Sequence, residues 1–184
     1  MGRRASELFF RCDFCGGVVS YGMTIKPQKV YLETTVFNYF FDSDRLAHPA
    51  TIKLFEEIKA GKYIAYTSAY VVEEIEKSND PKKSKMLELL GKYEIEVLQS
   101  SVLAEQLCEE YMKGGAIPTG SRYDGLHIAV ATLNEMDYIV SLNFKHINRV
   151  RTKIMTEAIN KVNGYNKEIA ICAPMEIVGV SDNE

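Results

Sequence analysis

Residues 121–143, SRYDGLHIAVATLNEMDYIVSLN, decide how the rest of the chain is read. Leu126, Ile128, Ala129, Val130 and Leu133 cover several faces of one helix, the pattern of a helix that lies against a sheet. A short apolar strand over 138–142 follows almost at once. Two of its polar groups stand out by position, Asp124 at the helix start and Asn143 just past the strand. Taken alone each has a local explanation, since Asp124 gains from the helix macrodipole and Asn143 suits a turn.

Working outward, helix and strand patterns alternate from Lys29 onward. The strand candidates are 29–33, 63–67, 94–98, 138–142 and 168–172. Between them, TTVFNYFF is short and aromatic. HPATIKLFEEIKAG carries a proline near its start and a glycine at its end, the expected asymmetry. SAYVVEEIEKS places Ser68 in a capping position. PKKSKMLELLG again runs from proline to glycine. SVLAEQLCEEYMKGG sets Leu103, Leu107 and Tyr111 on one face. Such β-α-β alternation predicts an α/β fold, a three-layer α/β/α domain around a mainly parallel sheet of about five strands with right-handed crossovers.

The chain has 184 residues, 46% of them apolar and 26% charged, which suits one soluble globular domain over 23–184. No apolar run approaches the roughly 20 residues that span a bilayer, so no membrane role and a cytoplasmic location are expected. Residues 1–22 lack clear periodicity and read as an N-terminal extension, either non-native or a genuine ordered arm. Within them Cys12 and Cys15 form a lone CxxC, and no second pair completes a zinc site. Cys108 and Cys172 fall in apolar patterns and read as buried thiols.

The formal charge of −3 is unevenly spread. Between Asn143 and Lys167 six lysines and arginines face only Glu157, a net +5 that leaves −8 for the remainder. A basic segment of this kind suits either a solvated helix face or a nucleic-acid rim.

In open parallel sheets ligands gather beyond the carboxyl ends of the strands. Glu33 ends the first strand, Glu73 and Glu74 sit early in the helix after the second, and Asp124 and Asn143 flank the fourth. Three acids and an amide converging there would repel one another without a cation, and hard oxygen ligands suit Mg²⁺ or Mn²⁺. Paired ions about 3.5–4 Å apart serve phosphodiester hydrolysis.

The motifs YLETTVFNYF, TSAYVVEEIEKS, SRYDGLHIAVATLNEMDYIVSLNFKHI and ICAPMEIV, in this order over residues 29–178, resemble the PIN-domain nucleases, especially the VapC-type toxins of VapBC toxin–antitoxin pairs. The resemblance implies a PIN-like, Rossmann-like fold and a Mg²⁺- or Mn²⁺-dependent endoribonuclease that leaves 5′-phosphate and 3′-hydroxyl ends. It also implies a homodimer and a cognate antitoxin protein as partners. It maps the metal and catalytic set onto Glu33, Glu74, Asp124 and Asn143. Glu74 is preferred to Glu73 because the family's acid directly precedes an aliphatic residue, here Ile75. Two departures stand out: a glutamate replaces the usual first aspartate, and Asn143 replaces a frequent fourth acid, so the site carries −3 and would hold a second cation more weakly.

Around this set, Thr34 and Ser141 read either as strand-end caps or as contacts to a metal water or phosphate. Lys145, His146, Arg149 and Arg151 lie on the expected rim, where cations add salt-dependent affinity for RNA. His127, three positions after Asp124, reads as a structural histidine or as a partner that orients Asp124. Tyr39, Phe40 and Phe41 suit a core or dimer face better than base stacking. The competing reading is a catalytically weak PIN-like module that binds or scaffolds RNA, with the asparagine as its best support. A nucleotide-binding domain finds neither G-x-G-x-x-G nor a P-loop.

Overall fold

The computed structural model describes residues 26–179 together with two short strands in the N-terminal arm, β1 (Phe9–Arg11) and β2 (Val18–Ser20). These two pair antiparallel as a separate ribbon. The rest of the arm, including Cys12 and Cys15, lies outside the described residues.

The main sheet has five strands, all parallel: β3 (Gln28–Leu32), β4 (Tyr63–Ser68), β5 (Glu96–Leu98), β6 (Tyr138–Val140) and β7 (Ala170–Cys172). Their order is β5-β4-β3-β6-β7. The chain therefore builds outward from β3 on one side, then returns to pair β6 with β3 on the other. That reversal is the topological switch point, where the two crossover directions leave a crevice at the strand ends. Val30, Tyr31 and Leu32 are all fully buried, so helices cover both faces of the central strand. The fold is the expected three-layer α/β/α arrangement.

Among the described residues eight α-helices flank the sheet: α1 (Thr34–Phe40), α2 (His48–Lys59), α3 (Ala69–Glu76), α4 (Lys82–Lys92), α5 (Val102–Lys113), α6 (Arg122–Leu133), α7 (Val150–Val162) and α8 (Pro174–Ile177). Helix α1, at 7 residues, is too short to be stable alone. Burial of Val36 and Phe37 holds it, and Phe40, Phe55 and Tyr93 stack edge to face beside it with centroids 4.8–6.0 Å apart. Each such pair adds about 0.5–1.5 kcal/mol beyond its area. This packing fixes the start of α1, and with it Glu33.

Helix α6 is buried from Gly125 to Thr132 and packs on α5. Gly125 makes the close approach possible, because a Cβ there would meet Cys108 Sγ at 2.7 Å. The buried stripe of α5 is Ala104, Leu107, Cys108 and Tyr111. Leu103, expected on that face, is instead 57% exposed. Cys108 and Cys172 are buried free thiols, and burial pushes them up to about 11 and about 12 respectively. Among the described residues no helix is long and apolar enough to cross a membrane.

Candidate metal centre

Four chain segments reach the switch point. Glu33 follows β3 and occupies the N-cap of α1 in an extended conformation, but its side chain makes no cap bond. It turns instead into the crevice, where Thr35 donates to its Oε2 at 2.5 Å and Ser141 donates to the same oxygen at 2.9 Å. Thr35 in turn accepts from the Leu142 amide at 2.8 Å, and Ser141 from the Asn143 amide at 3.0 Å. The ends of β3 and β6 are thus stitched together through one carboxylate oxygen.

Glu74 arrives from the second turn of α3. Thr34 and His127 Nε2 both bond its Oε2, the histidine at 2.9 Å. Glu73, its neighbour, turns away to accept from Tyr123 at 3.0 Å, as adjacent helical positions require. Asp124 lies in the first turn of α6, and its Oδ1 accepts from Asn143 Nδ2 at 2.8 Å.

Two features of this arrangement matter chemically. The hydrogen bonds on Glu33 and on Glu74 all end on Oε2, so Oε1 of each carries none of them. No buried side-chain nitrogen or oxygen among the described residues lacks a partner. Second, no lysine or arginine forms an ion pair with Glu33, Glu74 or Asp124 among the described residues; the one charged-type contact is His127 on Glu74.

Burial pushes the Glu33 carboxyl above its usual range, outweighing the nearby His127 and the hydrogen bonds from Thr35 and Ser141. Asp124 is pushed up as well, by burial and by the nearby charge of Glu74. For Glu74 burial acts in the same direction, but the His127 and Thr34 hydrogen bonds outweigh it and hold the carboxyl below its ordinary value. Two of the three acids therefore sit where their charge is disfavoured, the condition a bound cation relieves.

The tightest set of possible ligands is Glu33, Glu74 and His127, whose nearest ligand atoms lie within 4.8 Å of one another. Asp124 stands outside that set and joins it through Asn143 and Ser141. The four expected residues thus meet at one end of the sheet, with His127 where Asp124 was expected to close the trio. Carboxylate oxygens are hard donors suited to Mg²⁺ or Mn²⁺.

Asn143, expected as a ligand, sits beside Asp124. Its amide is engaged at both ends, donating to Asp124 and accepting from the His146 amide at 3.1 Å. It orients Asp124. Thr34 and Ser141 likewise spend their hydroxyls on Glu74 and Glu33. Lys145, Arg149 and Arg151, expected on the rim, are exposed, and none of them pairs with a carboxylate among the described residues. His146 is half-buried beside Asn143.

Sequence reasoning missed Thr35 and Tyr31; of its two readings of His127, the buried ring is hydrogen-bonded, but the acid it meets is Glu74 and not Asp124. Thr35 carried a readable signal, because a hydroxyl two residues after a strand-end carboxylate can reach back to it. Tyr31 reads in sequence as an ordinary core aromatic. The comparisons add no family: a scan against protein-family models and a search of curated proteins both return no match to the chain.

Proposed function

We propose that the protein is a metal-dependent endoribonuclease of the PIN type, acting on RNA with Mg²⁺ or Mn²⁺ held by Glu33, Glu74 and Asp124. The observation that carries this reading is the un-neutralised trio of carboxylates at the switch point, with hydrogen bonds drawn to one oxygen of each glutamate and none of the three paired with lysine or arginine. A divalent ion there would offset the crowded charge and activate a water for attack on phosphorus. The chain's own residues do the positioning. Ser141 and Thr35 aim Glu33, Thr34 aims Glu74, and Asn143 aims Asp124. Lys145, Arg149 and Arg151 on the rim supply the phosphate affinity that an acidic cleft lacks. In this reading the chain is the toxin of a toxin–antitoxin pair, working as a homodimer and held in check by a protein that covers the acidic cleft.

A second reading is favoured by one observation, the engagement of Asn143 at both ends, which leaves the site without a fourth acidic ligand. Under it the chain binds RNA and cleaves little. Incubation of purified protein with single-stranded RNA and Mn²⁺ separates the two. The nuclease cleaves, and Asp124→Asn lowers the rate by more than about 100-fold, beyond the 10–100-fold typical of residues that only support a metal ligand. RNA retention without cleavage under any divalent ion would favour the binding module.

A further inference from the structure

Behind the carboxylates runs a buried chain of polar side chains. Ser68 Oγ lies 2.7 Å from the Tyr31 hydroxyl, which lies 2.8 Å from His127 Nδ1. The opposite ring nitrogen, Nε2, lies 2.9 Å from Glu74 Oε2. Ser68, Tyr31 and His127 are all buried in the core. Ser68 sits at the N-cap of α3, the position where a serine hydroxyl ordinarily caps the helix, yet its side chain makes no cap bond. The hydroxyl is diverted to Tyr31.

Hydrogen counting fixes the direction of this chain. A carboxylate only accepts, so Nε2 must carry the hydrogen that joins it to Glu74. With Nε2–H present, an uncharged ring leaves Nδ1 bare, and the Tyr31 O–H fills it. The Tyr31 oxygen then accepts from Ser68. Three hydrogens meet three acceptors with none left over. Reversing the ring would set a bare Nε2 against a carboxylate oxygen, turn the Tyr31 hydroxyl toward Ser68 and strand the Ser68 hydrogen in the core. An orphaned buried donor costs about 1–3 kcal/mol, so the forward arrangement wins.

We propose that His127 is a positioning residue for Glu74, locked with its hydrogen on Nε2 by a buried hydroxyl relay from Ser68 through Tyr31, and is not itself a metal ligand. The close approach of Glu33, Glu74 and His127 invites the opposite assignment, a site with two carboxylates and one imidazole. Ligation through Nε2 would require that nitrogen to be bare, which the relay opposes. The significance for Glu74 rests on the cation reading above; the hydrogen placement on His127 does not.

The test uses ¹⁵N-edited NMR of the ring nitrogens in the full chain, where His127 is one of only 3 histidines. In cation-free wild type the expected spectrum has hydrogen on Nε2 and none on Nδ1. It should be unchanged on saturation with diamagnetic Mg²⁺. Hydrogen on Nδ1 in the cation-free protein, or its loss from Nε2 on adding Mg²⁺, overturns the proposal. A spectrum with Nε2–H in a protein that never takes up Mg²⁺ or Mn²⁺ upholds the relay and counts against the cation reading instead. Tyr31→Phe, which removes the donor to Nδ1 together with the acceptor of the Ser68 hydroxyl, should mix the two ring forms and weaken Mn²⁺ binding by roughly tenfold, the scale of an outer-shell loss. Unaltered ring populations in that variant would sink the relay.

Discussion

Replacing Glu33 by glutamine is expected to raise the stability of the cation-free protein. The side chain is only 4% exposed, and its carboxyl group belongs to a set whose ligand atoms lie within 4.8 Å of one another, including Glu74. Two unit charges at that separation repel by about 3.5 kcal/mol at an effective dielectric of about 20, and by about 1 kcal/mol in bulk water. Glu74, with its side chain 28% exposed, places the pair between these limits, so relief of about 2 kcal/mol is the working figure. The glutamine oxygen can take the place of Oε2 and keep the bonds from Thr35 and Ser141, while its amide replaces the unbonded Oε1. The substitution therefore removes charge without orphaning a donor. For a domain of this size about 2 kcal/mol corresponds to a Tm rise of roughly 4–8 °C. Differential scanning fluorimetry in a chelator measures it directly. Added Mn²⁺ should then stabilise wild type, by about 2.7 kcal/mol at a hundred times its Kd, and do far less for the variant. A variant that melts below wild type in chelator, or that gains as much from Mn²⁺, would refute the reasoning.

The remaining expectations concern the same network and its support. Because the folded Glu33 carboxyl titrates above its ordinary value, its protonated form favours the fold, and that contribution is present at low pH and lost as pH rises through the raised value. Denaturation of cation-free protein from about pH 4 to 7 should show wild type losing ground steadily to Glu33→Gln. Glu74 carries the opposite sign, so Glu74→Gln should lose most near neutrality and least in strong acid, as a denaturant series across pH would report. Asn143→Asp replaces the donor to Asp124 with a like charge and should cost about 1–3 kcal/mol without cations, with Mn²⁺ restoring more than it adds to wild type. Gly125→Ala forces a Cβ to 2.7 Å from Cys108 Sγ and should cost about 1–3 kcal/mol in urea unfolding, despite alanine's better helix propensity.

Much of the architecture was legible because α/β alternation leaves little freedom. A helix apolar on several faces beside a short apolar strand has few packings other than a covered parallel sheet. The preference for Glu74 over Glu73 came from the resemblance, and helical geometry added only that the two side chains diverge by about 100°. The exposure of Leu103 was not legible. Leu103 and Ala104 both continue the stripe of Leu107 and Tyr111 at helical spacing, and the approach of α6 at Gly125 to Cys108 turns the buried face toward Ala104. The partner of His127 was hidden for a different reason. Spacing along α6 points to Asp124, three residues away, whereas the acid that meets the ring lies 53 residues away on α3. The orientation of Asn143 was likewise invisible, because sequence names an amide without saying which end faces the acid.

One consequence of the hydrogen bonds on Glu33 and Glu74 concerns speed. Glutamate side chains that wander freely must surrender up to about 2 kcal/mol of rotamer freedom when they are captured by a ligand. Here that surrender is complete once the chain has folded, since hydroxyls and a ring already grip one oxygen of each. On the cation reading, uptake of an ion would then require no search by the protein. Its pace would follow how readily the ion sheds its own hydration, with tightly hydrated Mg²⁺ the slower arrival.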